Sequence, residues 1–186
     1  MHCHTMHRST DAELVIAARQ GDIDAFTALV GRYREPALRM AYGIAGNEAE
    51  DAVQDAFVKA FRKLESFRDD AAFRPWLFTI VANEARNRRR SWTRRKQLDL
   101  QVREQPKSID HDLSEVAARN EQRQHLLDAV ARLPDRYREV VALRYFAGLS
   151  ESETAAALGC PPGTAKSRLS RGLDLLRAAL GEEVTL

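Results

Sequence analysis

The chain has 186 residues, 44% hydrophobic and 30% charged, with a formal net charge of +2. That length allows one large domain or two small ones; no run approaches the ~18 apolar residues of a membrane-spanning helix, and the polar start MHCHTMHRST lacks the apolar core of a secretory signal. Cys3 and Cys160 are too few and too far apart for a disulfide framework and fit a reducing compartment, so a cytoplasmic protein is expected.

Strand signals are nearly absent, and Gly and Pro fall between long segments of helical period. The expected fold is all-α: two small helical bundles joined by a flexible linker, the second containing a helix-turn-helix. Residues 1–10 read as a disordered tail. His2, Cys3, His4 and His7 are possible metal ligands, but four ligands so close rarely complete a tetrahedral site without structure around them, so no metal is expected. A helix is expected over 11–19, broken at Gly21-Asp22. Ala25, Phe26, Leu29, Val30 and Tyr33 then recur at helical spacing, as do Leu38, Ala41 and Ala45.

Asn47 is expected to cap a helix over about 48–65, with Glu50 in the reciprocal position. Its apolar face is Val53, Phe57, Ala60, Phe61 and Leu64. Asp51, Asp55, Val58 and Arg62 cluster opposite, an acidic surface with one valine in it. The polar stretch SFRDDAAF (66–73) reads as a loop. The next helix begins near Pro75, with Trp76, Leu77, Ile80 and Val81 apolar and Trp76 in the core. It runs into NEARNRRRSWTRRKQ (83–97), which sets Arg86, Arg88, Arg89, Arg90, Arg94, Arg95 and Lys96 against a single acid, Glu84. Such a concentration suits a polyanion nearby, or a solvated helix end. Trp92 could stack on a base or sugar among these cations.

Periodicity dissolves over 98–120, a linker with at most a short helix near its end. A second unit, 121–182, begins with the apolar stripe Leu126, Leu127, Val130 and Leu133. Pro134 starts a helix carrying Val140, Val141, Leu143 and Phe146, and Gly148 ends it.

The stretch GLSESETAAALGCPPGTAKSRLSRGLDLLR (148–177) is the most informative. Ser150 and Glu153 form a capping box, and a short alanine-rich helix follows. Gly159 can supply the left-handed residue that ends it. Cys160 and the two prolines lie in the turn, and a longer helix starts at about Gly163. Short helix, tight turn and longer helix make a helix-turn-helix. On the second helix Ala165, Leu169, Gly172, Leu173, Leu176 and Leu180 share one side. Lys166, Ser167, Ser170, Arg171 and Arg177 share the other. Hydroxyls and cations of that kind hydrogen-bond phosphates and base edges in a major groove.

The stretches DAVQDAFVKAFRKLESFR, FRPWLFTIVANEARNRRR and the one just described, in that order and spacing, resemble the bacterial RNA polymerase sigma factors of the sigma-70 class. The resemblance is to the small two-domain extracytoplasmic function (ECF) group, and it covers most of the chain from about Asp11 to Leu180. It implies a factor without enzymatic activity, catalytic residues or cofactor. Residues 11–97 would be region 2, which binds the clamp helices of the largest subunit of core RNA polymerase and opens the −10 promoter element. Residues 121–182 would be region 4, which reads the −35 element. Asp51, Gln54, Asp55 and Val58 map to the polymerase-binding surface. Phe67 and Arg68 in the loop, and Asn83, Arg86, Asn87, Arg88, Arg89 and Arg90 on the helix, map to the −10 DNA. Lys166, Ser167, Ser170 and Arg171 map to the −35 contacts, with Thr164 and Arg168 as further phosphate contacts. Ser170 departs from the bulkier residue some members carry, so the −35 sequence does not transfer. The implied partners are core polymerase, promoter DNA and an anti-sigma factor. Without the resemblance, a dimeric helix-turn-helix regulator or a metal-dependent protein using the N-terminal histidines would stand as alternatives.

Overall fold

The computed structural model describes residues 9–68, 72–98 and 115–181. The tail histidines and Cys3 lie outside these residues. The described chain forms eight α-helices and no strand: α1 Asp11–Arg19, α2 Ile23–Ala45, α3 Ala49–Lys63, α4 Phe73–Leu98, α5 Glu115–Arg132, α6 Asp135–Val141, α7 Glu151–Leu158 and α8 Pro162–Leu180.

The first bundle is built from α1 to α4. Alanines set its helix spacing: Ala37, Ala41, Ala52, Ala56, Ala60, Ala82 and Ala85 are all fully buried. Side chains this small let α2, α3 and α4 approach closely, while Leu29, Met40, Ile44, Leu77, Phe78 and Val81 fill the space between them. A Thr10–Glu13 capping box starts α1. Asp11 then accepts hydrogen bonds from Arg32 and from the Tyr33 hydroxyl. Burial and that carboxylate push the Tyr33 hydroxyl well above the usual phenol range.

Three sequence expectations are corrected here. Asn47 does not cap α3: Gly46–Glu48 forms a 3₁₀ turn that feeds the helix, and the residue before Ala49 makes no side-chain cap. Gly46, at φ 60°, permits that turn directly after α2. Phe61 is 46% exposed, because it lies at the edge of the apolar face, where its ring meets that of Phe26 at 4.9 Å between centroids. Helix α4 starts two residues before Pro75.

The second bundle, α5 to α8, has its own core in Val130, Leu133, Val140, Val141, Ala155, Ala165 and Leu176. Arg138 is 1% exposed. Its guanidinium donates to the carbonyls of Ala131 and Leu133, at 2.8 and 2.9 Å, and pairs with Asp135. It thereby satisfies the otherwise orphaned carbonyls at the end of α5. A single π turn, Ala142–Phe146, follows α6.

The two bundles are docked on each other. Ala142, Leu143, Ala147, Leu149 and Ala157 of the second are buried in the core of the first. Gly43 lies so close to Phe146 and Val130 that a Cβ would sit 3.1 and 3.4 Å from them. The Tyr42 hydroxyl donates to Asp128 at 2.9 Å and receives a bond from Gln124. Arg74 of α4 donates to the Ala147 carbonyl, and a Cβ on Gly148, which sits at φ 62°, would collide with that guanidinium.

Candidate nucleic-acid interface

Helix α7 is opened by a complete capping box: Ser150 Oγ accepts from the Glu153 amide at 3.2 Å, and the Glu153 carboxylate accepts from the Ser150 amide at 2.7 Å. The Ser150 backbone amide, and after it the Ser150 hydroxyl, hold the Glu153 carboxyl below the usual range. Gly159 closes the helix in the left-handed region, φ 62° and ψ 37°. The Pro161 carbonyl then accepts from Thr164 and Ala165 at 2.9 and 3.1 Å, and α8 begins at Pro162, one residue earlier than expected.

On α8, Ala165, Gly172 and Leu176 are buried, while Leu169, Leu173 and Leu180 pack on the core. Lys166, Ser167, Ser170 and Arg171 are exposed, and Thr164 and Arg168 are half-buried. Lys166, Arg168 and Arg171 have no carboxylate partner among the described residues, whereas Arg177, further along, pairs with Asp174 at 3.1 Å. Uncompensated cations and hydroxyls therefore crowd the first half of a helix whose other side is anchored.

The arginines of α4 divide into separate groups. Arg86 and Arg89 turn toward the second bundle: Arg86 Nε lies 3.0 Å from a Glu139 carboxylate oxygen, and Arg89 Nε lies 3.5 Å from Asp135. Arg86 Nε is buried and badly aligned for a hydrogen bond, so its pairing with Glu139 is electrostatic. Arg86 also bonds the Ala157 carbonyl at 3.4 Å and Asn83 Oδ1 at 2.6 Å. Arg88 turns the other way, onto α3: its guanidinium donates to Asp55 at 2.6 Å and Asp51 at 3.1 Å. The Asp55 bond raises the Arg88 pKa further. Asn83, Asn87, Arg90 and Arg94 stay exposed. Two residues along a helix rotate a side chain by about 200°, so consecutive arginines cannot all face one polyanion.

On α3, Asp51, Gln54 and Asp55 are exposed, and Val58 stands 47% exposed among them.

A sigma-70 region 2 family model matches residues 29–95, and a sigma-70 region 4 model matches residues 123–176. The chain is 34% identical to the ECF RNA polymerase sigma-E factor of Escherichia coli K12 over 188 residues, covering 90% of this chain and 92% of that protein. The chain belongs to the ECF group of sigma-70 factors. The RNA polymerase sigma-H factor of Pseudomonas aeruginosa is 33% identical, with 91% of this chain and 93% of that protein covered. Two solved structures share the fold. CnrH in complex with the cytosolic domain of CnrY has a TM-score of 0.69 at 28% identity, covering 94% of this chain and 99% of that one. The sigma factor RpoE of Bartonella quintana, in complex with the anti-sigma factor NepR, scores 0.67 at 30% identity, covering 85% and 98%. As a sigma factor the protein is an initiation subunit, not an enzyme: it binds RNA polymerase and directs it to promoters.

Within region 2 of this sigma factor, the loop before α4 holds a surprise. Phe67 is only 6% exposed, its ring 4.8 Å from Trp76 and 5.9 Å from Phe73 between centroids. It is a core residue that fixes the base of the loop, and the exposed Arg68 is left at the surface. The half-buried Trp76 joins that aromatic cluster, as expected, and Trp92 is 37% exposed. A cleft of about 270 Å³ opens beside the loop, walled by Val15, Ile16, Phe67 and Phe73 with Asp11 and Arg74 at its polar side. Sequence reasoning missed the partners of the arginines, Glu139 and Asp135, because they lie on α6, far along the chain. It also missed Arg136 and Tyr137, which line a cleft with Thr164, Ser167, Arg168 and Arg171.

Proposed function

We propose that this sigma factor selects promoters through three surfaces, within a region 2 unit of 11–97, a linker of 98–120 and a region 4 unit of 121–182. The observation that carries the reading is the pairing of an acidic, valine-centred face on α3 with an uncompensated cationic face on α8. Asp51, Gln54, Asp55 and Val58 dock on the clamp helices of core polymerase. Charge sets their on-rate and register, and burial of Val58 adds affinity. Lys166, Ser167, Ser170 and Arg171 enter the −35 major groove, with Thr164 and Arg168 on flanking phosphates. At the −10 element the exposed set Arg68, Asn83, Asn87 and Arg90 meets DNA first. Asn83 offers a base edge both a donor and an acceptor. Capturing an extruded base offsets the few kcal/mol of unstacking. Phe67 supports the loop from beneath.

Promoter engagement also requires the docked bundles to part. Elements at −10 and −35 lie about 25 base pairs apart, roughly 85 Å at 3.4 Å per step. A compact chain of this length has a radius of gyration of only about 16 Å. Sixteen residues separate Leu98 from Glu115 and can extend to roughly 55 Å, which with two bundles spans the distance. Opening also frees Arg86 and Arg89 for −10 phosphates. Two structural relatives are complexes, of CnrH with CnrY and of RpoE with the anti-sigma factor NepR, which supports an anti-sigma partner for this chain as well. The work is done in the cytoplasm, where polymerase is. No described helix is long and apolar enough to cross a membrane.

The test is Val58→Asp. Its side chain is half in solvent, so the fold should persist while co-elution with core polymerase is lost. Retained co-elution at wild-type strength would remove α3 from the polymerase interface.

A further inference from the structure

Region 4 carries a cationic cleft that extends beyond the helix-turn-helix onto α6. Between the first turn of α6 and the N-terminal half of α8 lies an open cleft of about 320 Å³, lined by Arg136, Tyr137, Thr164, Ser167, Arg168 and Arg171. Gly172 makes the approach possible: a Cβ there would stand 3.0 Å from Val141 Cγ2 and 3.4 Å from both Cβ and the carbonyl oxygen of Tyr137. A side chain at 172 would require Val141 or α6 to give way by a few tenths of an ångström. The Arg136 guanidinium lies 4.8 Å from the centre of the Tyr137 ring, a cation–π contact that limits its orientation.

No carboxylate among the described residues lines this cleft. Both acids of α6 are engaged elsewhere, Asp135 with Arg138 and Arg89, and Glu139 with Arg86. Three arginines thus line one cleft without a counter-charge among the described residues, beside the hydroxyls of Thr164 and Ser167 and the positive end of a 19-residue helix. Like charges held together are stable only because solvent and mobile anions screen them. A phosphodiester group supplies the missing charge and bidentate acceptors for guanidinium.

We propose that this cleft binds a backbone phosphate of the DNA flanking the −35 element, with Arg136 joining Arg168 as its cations and Tyr137 as the platform that orients it, while Arg171 is left to the major groove. The proposal rests on the reading of α8 as the −35 helix and extends the DNA contact to α6. Such a contact positions region 4 on the duplex without reading sequence.

The experiment measures binding of the full chain to a −35 duplex by fluorescence anisotropy over a range of salt. Arg136→Gln removes the charge and keeps a polar side chain. It should lower the magnitude of the log K against log salt slope by about 0.9 and weaken cognate and scrambled duplexes by the same factor. Arg136→Lys should restore most of the slope. Arg39→Gln, the same charge change on α2 where Arg39 pairs with Glu35, should leave the slope near that of wild type. A wild-type slope in Arg136→Gln, with an unchanged melting temperature, overturns the proposal and leaves the −35 reading intact. Failure of the wild type itself to prefer the cognate duplex would instead count against that reading. Sodium phosphate, compared with sodium chloride at equal ionic strength, separates the anion sources. Specific competition by free phosphate would assign the cleft to a small anion and overturn the DNA contact.

Discussion

Replacing Glu139 with glutamine should make the free sigma factor bind −10 DNA more tightly, although the residue lies in region 4 and is not itself a proposed DNA contact. The carboxylate sits 3.0 Å from Arg86 Nε, with the two side chains only 16% and 20% exposed. An ion pair so sheltered exceeds the 0–1 kcal/mol of a surface pair, and about 1.5 kcal/mol places it well under the ~3–5 kcal/mol lost on breaking a fully buried pair. Its removal weakens the docked state by that amount and leaves Arg86 uncompensated in the interface. If the docked form dominates, apparent affinity is the intrinsic affinity scaled by the open fraction. About 1.5 kcal/mol then becomes roughly a tenfold gain. Anisotropy of a single-stranded −10 oligonucleotide, titrated with the chain alone, reads this directly. Asp174→Asn makes the same charge change away from the docking surface and is the control. Equal affinities for the Glu139→Gln, Asp174→Asn and wild-type chains would refute the idea that docking withholds the −10 surface.

Three further outcomes are expected. Arg171→Ala should cost about 1–3 kcal/mol on a cognate −35 duplex; an equal loss on scrambled DNA would demote it to a phosphate contact. Arg90→Ala should reduce the promoter salt slope more than Arg88→Ala, since Arg88 must first leave Asp51 and Asp55, and Arg88→Ala should speed association with core polymerase by unmasking those carboxylates. Identical slopes and unchanged association rates would dissolve that coupling. Ser150→Ala should cost about 1 kcal/mol, or roughly 2–4 °C of melting temperature for a chain of this size. The Glu153 carboxyl is held below its unfolded value, so its stabilisation is present above about pH 4.3 and fades as pH falls through the folded value. Glu153→Gln should melt with less dependence on acid, and a parallel pH profile would show that the box does not titrate.

The helix-turn-helix was legible because its determinants are local. Ser150 and Glu153 meet across one turn, Gly159 supplies one left-handed residue, and the α8 wheel separates Leu176 from Lys166 without reference to anything else. The acidic face of α3 was legible for the same reason. The arginine run was not, because its fate depends on what stands opposite each rotation of α4. Arg88 finds Asp55 at 33 residues' separation, and Arg86 finds a carboxylate on α6. Phe67 reads as a loop residue by its neighbours, yet three-dimensional closure of Phe73 and Trp76 over it makes it core. Likewise nothing near Gly172 announces that its missing side chain admits α6. Docking of the bundles was hidden too, since Leu143 and Leu149 serve an intra-domain core as plausibly as a shared one.

Run-off transcription with purified core RNA polymerase tests the central claim most directly. Adding the chain to core enzyme on a library of promoter fragments should yield transcripts with discrete starts from a subset of them, lost with Val58→Asp and reduced with Arg171→Ala. Start sites no different from those of core enzyme alone, with a folded and monomeric chain present in excess, would contradict it.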